Sequence, residues 1–95
     1  MIKHVVMFAF KPECQGDLGE AKKRLEALVG KVPELRSMEV GLNFLPSERA
    51  MDLVLTSVVE DERGLEAYRV HPAHQEVVEF LKARSLSSKA VDYHF

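Results

Sequence analysis

The chain is 95 residues long, which suits one domain over residues 1–95 and falls short of two. Its 46% hydrophobic and 29% charged content exclude an intrinsically disordered chain, and a domain of this size should bury roughly 65% of its unfolded surface. Thirteen Lys and Arg against fifteen Asp and Glu give a net charge of −2 with no basic run, which argues against nucleic acid as a partner.

From Ile2 to Phe10, the residues Ile2, His4, Val6, Phe8 and Phe10 alternate with Lys3, Val5, Met7 and Ala9. Both sets are largely apolar, which predicts a central strand covered on both sides. Its apolar stretch from Val5 is far too short to cross a bilayer, and no cleavage signal follows Met1, so no membrane association and a cytoplasmic location are expected. Lys11-Pro12-Glu13 ends the strand, and Cys14 to Asp17 reads as a loop with Asp17 as a helix cap. Cys14 is the only cysteine, which excludes an internal disulfide and fits a reducing compartment. Leu18, Ala21, Leu25, Leu28 and Val29 then recur at helical spacing until Gly30 and Pro33 stop the helix.

Met38, Val40 and Leu42 alternate with polar neighbours as a second strand, and Pro46 to Arg49 is a turn. Leu53 to Val59 is a third strand, again apolar on both faces. Asp61 to Tyr68 reads as a short helix, and Pro72 opens another whose inner stripe is Val77, Val78, Phe80 and Leu81. Ser87 to Phe95 closes the chain as a strand. The order β-α-β-β-α-α-β folds, through right-handed crossovers, into a ferredoxin-like α+β sandwich with helices on one face of a four-stranded antiparallel sheet. The helices can cover one face only. Val5, Met7, Ala9, Val54, Val58, Val91 and Phe95 would then form a bare apolar patch, so the expected partner is a second copy packed sheet to sheet as a dimeric α+β barrel.

The chemistry-bearing residues gather in Tyr68-Arg69-Val70-His71-Pro72-Ala73-His74. With Pro72 as the first helical residue, His71 is the N-cap and His74 lies in the first turn. A helix N-terminus disfavours positive charge, so an imidazole there tends to be neutral and able to act as a base or a ligand. Tyr68 could turn its hydroxyl to the same space. The structural alternatives are that His71 only caps the helix, that His74 bonds a carbonyl, and that His4 and Tyr68 belong to the core. Asp92, between Val91 and Tyr93, needs a partner if buried, and a histidine would serve. Two histidines fall short of a zinc site, Cys14 beside Glu13 and Asp17 makes a poor nucleophile, and no Gly-rich phosphate loop is present.

Ile2-Lys3-His4-Val5-Val6, the stretch from Glu66 to His74 and the closing Val91-Asp92-Tyr93 resemble the stress-responsive A/B barrel (Dabb) family over the whole chain. The resemblance implies a ferredoxin-like fold paired into a dimeric barrel. It also implies a distant similarity to plant polyketide cyclases of the olivetolic acid cyclase type, which close a ring without a cofactor. Carried over by residue, His74 would be the general base, Tyr68 the oxyanion-side donor and Asp92 the group that orients His74. His4 and His71 would line the ligand site. Leu25 and Leu53 stand where the cyclase has a pocket tyrosine and histidine, which points away from a long polyketide. Some plant relatives hold magnesium through backbone carbonyls, and the matching positions are Val29, Val32 and Leu35.

Three functions follow as expectations. The first is a homodimer that binds a small apolar molecule between sheet and helices. The second is a cofactor-free cyclase or lyase with His74 as base and Tyr68 as donor. A monooxygenase-like barrel, the third, rests on fold analogy alone.

Overall fold

Strands form where the apolar residues alternate, and in the computed structural model, which describes residues 1–95, four of them pair into one antiparallel sheet. They are β1 (Ile2–Phe10), β2 (Ser37–Leu42), β3 (Leu53–Val59) and β4 (Ser85–His94), in the spatial order β2-β3-β1-β4. Three helices, α1 (Leu18–Glu26), α2 (Glu62–Val70) and α3 (Pro72–Arg84), complete a ferredoxin-like α+β architecture. None is long and apolar enough to cross a membrane.

The core is the set of inward residues that the alternation marks. Ile2, Val6 and Phe10 of β1 and Leu53, Leu55 and Val59 of β3 bury against Ala21 and Leu25 of α1, Tyr68 of α2, and Val77 and Leu81 of α3. On the opposite face Val5, Ala9, Val54 and Val58 are half-buried, while Met7, Val91 and Phe95 are exposed. Lys3 lays its ammonium 4.7 Å over the Phe95 ring there, which covers only one end of the patch. The bare apolar face expected from the sequence is therefore present in the protomer.

Four local features differ from the sequence reading. Residues Pro12–Asp17 wind into a short 3-10 helix rather than a loop. Asp17 sits at the N-cap of α1 but makes no capping bond, because its carboxylate instead accepts from Arg84 Nε at 2.9 Å. The first helix stops at Glu26 and tightens into a 3-10 turn over Ala27–Gly30, so that Leu28 and Val32 both enter the core while Val29 stays outside. The last strand starts at Ser85 rather than Ser87. The Ser85 hydroxyl donates to the Leu81 carbonyl at 2.7 Å, which ends α3 and lets the extended chain begin at once.

The ends of α2 and α3 are set by side chains. Asp61 accepts from the Gly64 amide at 2.8 Å, so α2 begins at Glu62. His71 caps α3 and Pro72 takes the first helical position.

Candidate functional site

The β1 register places three polar residues in one row across the helix-covered face: Ser57 of β3, His4 of β1 and Asp92 of β4, with His4 directly opposite each of the others. The carboxylate of Asp92 accepts from Nδ1 of His4. That bond fixes the imidazole's tautomer and leaves Nε2 as the atom with a free lone pair. Ser57 is fully buried, and its hydroxyl donates to the His4 carbonyl oxygen at 3.3 Å. The sequence reading missed Ser57. Its signal is a single hydroxyl in the buried series Leu53, Leu55, Ser57, Val59, the one polar member of an otherwise apolar face.

His74 approaches from the first turn of α3. Its Nδ1 donates to the Arg69 carbonyl at 3.0 Å, since a carbonyl oxygen can only accept, so Nε2 is again the basic atom. Burial pulls its pKa below the ordinary 6.5, the Arg69 carbonyl opposes this, and the positive charge of neighbouring His4, Arg69 and His71 adds to the lowering. His74 is therefore neutral at neutral pH. The expectation that Asp92 orients His74 is corrected here. The Asp92 side chain lies opposite His4 in the sheet, whereas His74 finds its acceptor in the last turn of α2, at the Arg69 carbonyl.

Tyr68 lies between the two imidazoles, its ring centre 4.2 Å from that of His74 and 6.2 Å from that of His4. It is 1% exposed, and its hydroxyl, near that of Ser57, has no well-formed hydrogen bond. Burial pushes the Tyr68 pKa up to about 12, partly offset by Ser57. The phenol thus remains a neutral, unspent donor. His71 lies elsewhere. Its Nδ1 accepts from the Ala73 amide at 3.1 Å, and it borders neither cavity that His4 and His74 share, so its part is the helix cap rather than the ligand site.

Those cavities meet at the imidazoles. A small one of about 100 Å³ is bordered by His4, Leu65, Tyr68, Arg69, His74 and Asp92. A half-open one of about 280 Å³ runs from His4 and His74 along Val6, Leu55, Val77 and Leu81. Leu25, at the position of the cyclase tyrosine, walls the larger cavity, while Leu53 does not reach it. The arrangement can hold an apolar molecule and present the Nε2 atoms of two imidazoles and one phenol to a polar group on it. Cys14 is free and packs at the edge of the core, and His94 is exposed, 3.5 Å from Glu62.

For magnesium at the carbonyls of Val29, Val32 and Leu35, no cluster of carboxylates stands by to add ligands, and the Val32 carbonyl accepts from the Leu35 amide at 3.1 Å.

Residues 2–95 match the family described as Stress responsive A/B Barrel Domain. The chain belongs to this family. An uncharacterized protein of Streptomyces coelicolor is 33% identical over 78 residues, covering 79% of this chain and 80% of that protein. A crystal structure from Bacteroides fragilis, described as a dimeric protein of unknown function with a ferredoxin-like fold, superposes with a TM-score of 0.90 at 30% identity, covering 99% of this chain and 95% of that one. The hydroxynitrile lyase of Passiflora edulis shares the fold alone, at 15% identity and a TM-score of 0.84 over 97% of this chain and 90% of that one.

Proposed function

We propose that this A/B barrel chain works as a homodimer, paired through its bare sheet face, and binds a small, largely apolar molecule between sheet and α3. A carbonyl or hydroxyl group on that molecule meets the imidazoles of His4 and His74. The observation that carries the reading is the matched anchoring of the two rings: each gives its Nδ1 proton to a protein acceptor, and each keeps Nε2 free of any protein partner beside an apolar cavity. Rings that served only to fill the core would not need fixed tautomers facing a shared space. Amide NMR titration with a medium-chain ketone such as 2-octanone tests this. Shifts should centre on His4, His74 and Val78 and vanish in Val78→Trp; shifts absent there, or centred on the other sheet face, would reject the site.

A second reading, cofactor-free proton transfer, is favoured by the downward shift at His74. A neutral imidazole with Nε2 available can remove a carbon-bound proton next to a carbonyl, and the unspent Tyr68 hydroxyl can donate to the oxygen on which charge develops. Asp92 then acts on His4, as the positioning group for the second imidazole. Exchange of the ketone's α-protons in heavy water reads this step directly. His74→Ala should slow it by roughly 100-fold or more, and an unchanged rate would remove His74 as the base. The hydroxynitrile lyase relative contributes no residue to this reading, and no group in the site speaks for the monooxygenase-like alternative.

A further inference from the structure

The larger cavity has two chemically different ends. A strand advances roughly 3.3 Å per residue, so Phe8 lies about 13 Å along β1 from His4. A helix rises about 1.5 Å per residue, which puts Lys82 about 12 Å beyond His74 along α3. The spans agree, so the cavity is a groove between β1 and α3 with the imidazoles at one end. At the other end stand Phe8, its register partner Ser88, and Lys82. The walls between are aliphatic.

Charge distinguishes the ends further. Neighbouring cations are already engaged: Arg84 donates to Asp17 at 2.9 Å, Lys11 to the Ala83 carbonyl at 3.1 Å, and Arg69 to Glu66 at 2.8 Å. Lys82 borders the groove with no hydrogen-bond acceptor and no carboxylate partner, and no Asp or Glu lines this cavity. At the imidazole end Arg69 lines the groove but is paired with Glu66, and Asp92 borders only the adjoining smaller cavity, bonded to His4. Lys82 is therefore the one unpaired charge along the groove, and an anionic group is favoured at its end.

We propose that the ligand is an elongated apolar monocarboxylate, its carboxylate seated at Lys82 and Ser88 and its oxygenated far end against His4 and His74. This rests on the small-molecule reading above and adds the ligand's charge and direction to it. A cavity of roughly 150 Å³ holds benzene, so about 280 Å³ has room for a medium-length chain or a substituted ring.

Octanoate and its neutral counterpart octanol, titrated by calorimetry into the intact protein at low salt, test the proposal. Lys82 is exposed, so its contact with a carboxylate should favour octanoate by roughly three- to fivefold. That margin should disappear in Lys82→Gln, survive in Lys82→Arg, and shrink as salt is raised. Equal binding of both probes, unchanged in Lys82→Gln, overturns the charged end and leaves the small-molecule reading standing. Failure of both probes to bind, or binding that persists in Val78→Trp, overturns the two together.

Discussion

The two faces of the sheet are made by the same four strands, and both are largely apolar. The face under the helices joins the core residues Ile2, Val6, Leu55 and Val59 to one polar row, His4, Ser57 and Asp92, while the face without helices carries Met7, Val54, Val58 and Val91. The polar row thus sits where cover is available, and a second apolar set lies where it is not. The contrast teaches that the covered face is specialised for holding polar atoms in fixed directions, with a groove beside them. The bare face is the apolar surface through which pairing is proposed.

The sharpest way to break this comparison is to charge the bare face. Val91→Glu should convert a dimer to monomer in sedimentation velocity while far-ultraviolet circular dichroism stays native, because a like charge repeated across a two-fold contact costs several kcal/mol. A wild-type chain that sediments as a stable lone protomer at micromolar concentration would remove the pairing altogether. On the covered face, Leu25→Ala should lower unfolding stability by about 2–5 kcal/mol in denaturant melts, since Leu25 is 1% exposed and touches the helix–sheet core.

The covered face also responds to alkali. The unfolded Tyr68 ionises near 10 and the folded one only at about 12, so stability is full below 10 and falls as pH rises toward 12. The loss should approach roughly 3 kcal/mol, and Tyr68→Phe should abolish it. A smaller effect is expected from Asp92→Asn. The pair is partly exposed, so about 1 kcal/mol is expected, but nitrogen NMR should show His4 losing its single tautomer while His74 keeps its own. In the acid range, His74 is depressed below 6.5 in the folded chain, so the unfolded chain takes up its proton first as pH falls. Stability is complete above about 6.5 and declines below it, and a melt that strengthened on acidification from neutrality would contradict the burial of this ring.

Much of this was legible in the sequence because it depends on local periodicity. Alternation in Ile2–Phe10 and Leu53–Val59 marked both faces, and Pro72 after His71 marked the cap. What failed depended on long-range register or on a single side chain's choice of partner. Asp17 was read as a cap from its position, but Arg84, distant in sequence, takes its carboxylate. Asp92 was assigned to His74, whereas antiparallel pairing of β4 with β1 sets it opposite His4. Parity along the two strands puts His4 and Asp92 on one face, and the antiparallel register brings them opposite each other. The 3-10 turn after Glu26 was not, because Leu28 and Val29 both suit a continuing helix until the core demands Leu28 and Val32 together.

Strand β4 holds Asp92, and nearly all of it is exposed within the protomer, paired along one edge only, to β1. The carboxylate that sets one imidazole is thus mounted on an edge strand of the sheet. Any event that frays this margin would let the His4 ring turn over without disturbing the core beneath it. The direction of the His4 ring is in this way tied to an edge of the sheet rather than to its centre.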